Sequence, residues 1–220
     1  MPRNWKMPLP LTVLVCILAA FAAASCGKSP TQATSVPTAS ATEPGGAVEG
    51  DPGLGPELAA VRRATAPFHD PAVAMAAGYL DPTGRICDQI DIGTMGIHTP
   101  KPPFTQDQVL DPEHPEVLLY LPKPGGGFRL IGVEYIQPVL VRNPATGAVA
   151  PWFAATPWPS NYQVVTPTPQ LFGETFQGPM PGHIPGMPWH WDLHVWVWAH
   201  NPAGMFAQWN PSPSLSCPAE

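Results

Sequence analysis

Residues 189–199 read WHWDLHVWVWA, and this run decides the fold class. Aromatic and β-branched residues of this kind fit a pleated, half-buried surface. On a strand successive side chains alternate, so His190, Asp192, His194, Trp196 and Trp198 project to one face and Trp191, Leu193, Val195 and Val197 to the other. One face is apolar and the other mixes imidazole, carboxylate and indole, which predicts a sheet with two unlike sides.

Working upstream, residues 116–140, EVLLYLPKPGGGFRLIGVEYIQPVL, hold two apolar segments, Val117 to Leu121 and Phe128 to Ile136, around the turn-forming PKPGGG. That pattern predicts a hairpin. In its second strand Leu130, Gly132, Glu134 and Ile136 share one face by simple alternation, with Ile131, Val133 and Tyr135 on the other. A turn at NPATG joins a strand ending near Val141 to one over Ala148 to Ala154. The stretch from Thr156 to Pro188, with eight prolines and four glycines in 33 residues, reads as loop. Downstream, Asn201-Pro202 ends the strand, and the tail reads as irregular, pinned by Phe206, Trp209 and Cys217.

Residues 57–79, ELAAVRRATAPFHDPAVAMAAGY, are apolar at helical spacing, through Leu58, Val61 and Ala64 and then Val73, Ala76 and Ala77, but carry Pro67 and Pro71. A proline removes a helix hydrogen bond and clashes with the preceding turn. Two short helices are predicted, the second capped by Asp70 with Pro71 at its first position and Gly78 at its exit. The fold class is α+β: an antiparallel sheet, either open or curled toward a barrel, with short N-terminal helices and long proline-rich loops.

The chain opens with Arg3 and Lys6 ahead of an apolar stretch from Leu9 to Ala24, closed by small residues before Cys26. This is the layout of a signal peptide, too short for the roughly 20 residues of a spanning helix. Ala23-Ala24-Ser25-Cys26 resembles the lipobox of bacterial lipoproteins, although leucine is usual where Ala23 stands. The resemblance implies cleavage before Cys26 and lipid on that cysteine; ordinary cleavage or retention as an anchor are the alternatives, and all three export the chain. The expected organisation is a signal peptide over 1–25, a disordered Pro/Ser/Thr/Gly linker over 26–56, and one globular domain over 57–220 in the cell envelope, held to a membrane by its lipid.

Lys and Arg number 10 against 16 Asp and Glu, and without Arg3 and Lys6 the balance is 8 against 16, a net of −8. Such an acidic chain is a poor match for nucleic acid. Cys87 and Cys217 remain in the domain, and in an oxidising compartment a lone pair is most simply a disulfide, with two free thiols as the alternative.

Four of the seven histidines, His183, His190, His194 and His200, fall within 18 residues. Imidazole with carboxylate suits zinc, iron or copper. Residues two apart on a strand lie about 6.6 Å apart and can grip one ion, whereas four apart is about 13 Å. A mononuclear site would therefore use Asp192 with either His190 or His194, completed by His98 in GTMGIH, Glu134 in GVEY, or His183 in GPMPGH. The candidate metal set is His98, Glu134, His190, Asp192 and His194. The competing reading is metal-free, with carboxylates fixing histidine tautomers in structural pairs. Met95, Met180 and Met187 near these histidines add a copper version, against their use as core filler. Glu134 beside Tyr135 could serve as a general base, and Trp152 and Trp158 could stack on a ligand. Phosphate loops, Cys-x-x-Cys, HExxH and a Gly-x-Ser-x-Gly elbow are absent.

The blocks AAGYLDPTGRIC, TMGIH, LDPEHPEVLLYLP, RLIGVEY, GPMPGHIPGMPWHWDLHVWVWAHNPAGMFAQWNP and the closing SC resemble a family of exported bacterial proteins without an assigned activity. The resemblance implies export and a shared fold. It assigns no site residue and leaves open whether the domain is an enzyme or what small molecule or protein it meets.

Overall fold

In the computed structural model, residues 55–102, 105, 107–184 and 186–218 are described. The expected signal peptide, Cys26 and nearly all of the linker lie outside them. Among the described residues no helix is long and apolar enough to cross a membrane.

Pro56 opens helix α1 (Pro56–Thr65), with Glu57 in its first turn and Arg62 and Arg63 in its last, each complementing the helix dipole. Val61 and Thr65 face inward. Pro67 tightens the chain into a 3-10 turn over Ala66–His69, and helix α2 (Pro71–Ala76) follows. Asp70 caps it, its carboxylate accepting from Ala72 N at 2.9 Å. The helix is too short to repeat its pattern: Ala74 is its buried residue, and Val73 is 42% exposed.

The strands are β1 (Cys87–Ile90), β2 (Gly93–Pro100), β3 (Val117–Pro122), β4 (Phe128–Pro138), β5 (Leu140–Arg142), β6 (Val149–Pro151), β7 (Gln163–Val164), β8 (Gln170–Leu171), β9 (Glu174–Thr175), β10 (Gln177–Met180) and β11 (His190–Val195). Six form the main antiparallel sheet in the order β1-β2-β3-β4-β11-β10, curled into a half-barrel. The predicted hairpin is β3–β4, and the NPATG turn joins β5 to β6. The proline-rich stretch is not wholly loop: it contributes β7, the β8–β9 hairpin and the edge strand β10.

Alternation along β4 is broken where the β3–β4 register shifts, Leu119 facing Gly132 and Tyr120 facing Leu130. The extra residue is Ile131, and a bulge of this kind re-phases everything beyond it. Leu130 therefore sides with Val133 and Tyr135, while Ile131 sides with Ile136, which corrects the simple alternation. The last strand is also shorter than expected. It ends at Val195, and Trp198 turns back to the helices, where its indole N–H donates to Thr65 Oγ1 at 3.0 Å and Arg62 lies over its ring.

The main core lies on the face carrying Ile97, Leu118, Tyr120, Leu130, Val133, Tyr135, Leu193 and Val195, covered by Val61, Ala74 and Tyr79. Three buried tyrosines fasten the covering segments through their hydroxyls: Tyr79 to Pro115 O, Tyr120 to Phe68 O and Tyr135 to Pro112 O, at 2.6–2.7 Å. The opposite face carries a smaller cluster, Val117, Leu119, Leu121, Ile131, Ile136, Trp196 and Leu215, beside the polar residues of interest.

Cys87 and Cys217 form the disulfide, closing a separation of 130 residues. In the chain-entropy view that closure restrains the unfolded chain by about 4–5 kcal/mol. The tail it anchors pairs with β2 through two backbone bonds between Thr94 and Asn210, and Cys217 N donates to Gln89 Oε1 at 2.6 Å.

Candidate metal centre

Three antiparallel strands bring the ligand-type side chains together. In the β4–β11 register Glu134 lies directly opposite His194, and Asp192 opposite Ile136. Val117 of β3 pairs with Glu134, and Leu119 of β3 pairs with His98 of β2. His98 thus reaches Glu134 and His194 across an intervening strand. Gly132 lets β4 lie close to the end of β11: a Cβ there would stand 2.8 Å from the Val195 carbonyl oxygen and 3.4 Å from Leu119 Cδ1.

One ligand atom from each of His98, Glu134 and His194 lies within 4.8 Å of the other two. His98 Nε2 is 3.5 Å from His194 Nε2 and 3.6 Å from Glu134 Oε2. Hydrogen bonds between such groups centre near 2.9 Å. Two donors each about 2.1 Å from a tetrahedral ion stand about 3.4 Å apart. The observed gaps are long for hydrogen bonds and right for ligands sharing one cation.

Asp88 of β1 completes the set from outside. Its Oδ2 lies 3.0 Å from His98 Nδ1, the ring nitrogen opposite the Nε2 that faces Glu134 and His194. Carboxylate–histidine pairs of this kind orient metal ligands and raise their basicity. Asp88 was not among the sequence candidates, because an aspartate on a short edge strand carries no mark distinguishing it from a solvated one.

The other two candidates share the face but not the three-residue group. Asp192 and His190 are both completely buried. His190 Nδ1 donates to Pro188 O at 3.0 Å; among the described residues His190 Nε2, His194 Nδ1 and His98 Nδ1 have no hydrogen-bond partner, while the Asp192 and Glu134 carboxyls bond to each other. The expectation that Asp192 would join one of its strand histidines in the site gives way to Glu134, because register places Glu134, not Asp192, across from His194. His183, on the loop before β11, stacks edge-on against His190 with ring centroids 5.0 Å apart.

Burial and neighbouring charge set the protonation of these groups. Burial, reinforced by the Asp192 carboxylate, drives the Glu134 carboxyl well above its usual range. Burial, with the surrounding imidazoles, drives His194 well below its usual value, and burial brings His190 down to about 4. His194 and His190 are therefore held neutral, the form that binds metal.

A cavity of about 460 Å³ adjoins the group. His98, Glu134, Asp88 and His183 form its polar side, and Val117, Ile136, Pro100, Leu80, Ile184 and Met187 its apolar side, with Arg85 also on the wall. Of the methionines, Met187 lines this cavity and Met95 is buried. Trp152 and Trp158 are taken up by packing: Trp152 against Tyr162 with its N–H on Thr156 O, and Trp158 against Trp189. Comparison of the chain with known protein families, with curated proteins and with solved structures finds no match in any of the three.

Proposed function

We propose that the protein is an exported, lipid-tethered metal-binding protein whose His98, Glu134 and His194 hold one divalent transition-metal ion beside a small-molecule cavity. The observation that carries this reading is the convergence of three donors, His98 Nε2 standing 3.5 Å from His194 Nε2 and 3.6 Å from Glu134 Oε2, with one ligand atom from each residue within 4.8 Å of the other two. Two imidazoles and one carboxylate suit zinc or ferrous iron. Three protein ligands leave part of the coordination sphere to a water or a ligand atom in the cavity, the arrangement of catalytic rather than structural sites.

The metal-free reading requires each histidine to satisfy a local partner. His114 with Asp111 does so, whereas His98 Nδ1 lies 3.0 Å from Asp88 Oδ2 without a hydrogen bond between them. Among the described residues His190 Nε2 and His194 Nδ1 are buried without a hydrogen-bond partner. Each such atom costs about 1–3 kcal/mol, and a core rarely tolerates several side by side without a ligand.

The test is elemental analysis by plasma mass spectrometry on protein purified without affinity tag or chelator. Near-stoichiometric metal, lost in His194→Ala, is expected. A wild-type protein that stays metal-free after exposure to zinc, ferrous iron and copper would refute the assignment. Export and tethering are tested separately: cells fed labelled palmitate should label the wild-type chain, and Cys26→Ala should abolish the label and release the protein from membranes. Equal labelling of both would show that Cys26 is not the lipidated residue.

A further inference from the structure

We infer that the cavity takes a small monocarboxylate with an apolar body, its carboxylate held by Arg85 and its body lying beside the proposed metal centre. The inference names the ligand class for that centre and rests on the metal-binding reading.

The walls set the shape and the polarity of the ligand. Leu80, Val117, Ile136, Ile184 and Met187 line one side, and His98, Glu134, Asp88 and His183 the other. A volume of about 460 Å³ suits a molecule of metabolite size. Val117 and Ile136 are buried in the sheet, so much of the apolar side is fixed, whereas Ile184 is 44% exposed. Burial against this side favours an apolar body.

Arg85 supplies the charge. Among the described residues it is the one Lys or Arg on the cavity wall. It sits in the turn before β1, shaped by Gly84 at φ 72° and by Arg85 N donating to Pro82 O at 3.3 Å. Its Nε donates to the Asp81 carbonyl at 2.8 Å, which anchors the guanidinium and leaves its terminal nitrogens over. Among the described residues no carboxylate stands within ion-pair distance of it. The Asp81 carboxylate, whose charge it feels, accepts instead from Thr83 N at 2.8 Å. A half-buried guanidinium without a carboxylate of its own matches a planar carboxylate on the ligand, which can accept parallel bonds from the fork.

The polar side limits the ligand to a single negative charge. Asp88, and Glu134 once it ligates the ion, are carboxylates on the same cavity, and a phosphate or dicarboxylate would bring a second charge against them with no second cationic side chain to meet it. Arg85 stands three residues before Asp88, whose Oδ2 lies 3.0 Å from His98 Nδ1, so one short segment links the anion-binding end to the metal centre.

The experiment is calorimetric titration of the zinc-loaded full chain with octanoate and with the neutral octanamide of the same length. Octanoate should bind about tenfold more tightly than octanamide, since a charge-assisted hydrogen bond is lost in the amide. Arg85→Gln should erase that difference while circular dichroism and zinc content stay those of wild type, and Arg85→Lys, which keeps the charge without the fork, should retain part of it. Ile184→Trp, which narrows the cavity, should weaken octanoate. Equal binding of acid and amide, or a preference for the acid that survives Arg85→Gln, overturns the assignment. So does octanoate binding that is indifferent to Ile184→Trp, or a zinc-loaded chain that binds no octanoate; each of these leaves the metal centre standing. A chain that takes up no zinc, iron or copper removes the metal reading and this inference with it.

Discussion

At the scale of single residues, the ligand types were legible and their partner was not. His98, Glu134 and His194 stand out as imidazole and carboxylate on strands of otherwise apolar composition. Asp88 is recognisable only once β1 pairs with β2 and brings it to His98. Removing an outer-shell carboxylate typically costs metal affinity about 10–100-fold without abolishing binding. Asp88→Asn is expected to weaken metal binding by that factor in calorimetric titration while His98→Ala eliminates it; equal losses would make Asp88 a direct ligand. A second buried carboxyl, Glu116, accepts from Ile136 N at 3.1 Å, and burial pushes it from 4.5 up to about 8. Between those values the folded protein keeps a proton that the unfolded chain has released. Stability therefore falls as pH rises from about 4.5 to about 8 and levels off above. Glu116→Gln, which retains an acceptor for Ile136 N, should flatten that decline by a few kcal/mol at most, as read from urea midpoints across the range. An unchanged slope would show that Glu116 titrates normally.

At the scale of elements, periodicity found the helices and the β3–β4 hairpin, because each is announced by residues close in sequence: Asp70-Pro71 for the α2 cap, PKPGGG for the turn. It failed at the β4 bulge, since a one-residue insertion is a property of the pair of strands and not of the strand that carries it. The same holds for Gly132, which reads as a weak spot in a strand and proves to be the point where β4 lies closest to Val195. Gly132→Ala should push β4 from the end of β11, costing about 1–3 kcal/mol from overpacking and loosening the Glu134–His194 pair. A variant melting like wild type with unchanged metal affinity would mean that the strands absorb a methyl group without separating.

At the scale of the whole molecule, the strand order was beyond the sequence. The hydrophobic pattern says that β11 has a polar and an apolar face, but nothing local says that it slots between β4 and β10 after residues 139–176 have passed outside the main sheet. The disulfide was legible from cysteine count, and its structural work lies in holding β1, and with it Asp88, against the tail. Replacing both Cys87 and Cys217 by serine should cost about 2–5 kcal/mol in thermal unfolding. It should also lower metal affinity in the folded protein as Asp88 is released. A loss of stability with affinity intact would confine the bridge to a purely covalent role.

The insertion of β11 has a consequence in time. A chain delivered from its N-terminus presents His98 first, Glu134 next and His194 last, on the strand that must enter beside β4 to finish the sheet. Until that strand docks, no half-assembled intermediate owns more than two of the three donors. On the proposed metal-binding reading, capture of the ion and completion of the fold are then one event. On that reading the compartment that hosts the final docking supplies the metal, and its scarcity there would be felt as slow maturation before it was felt as lost function.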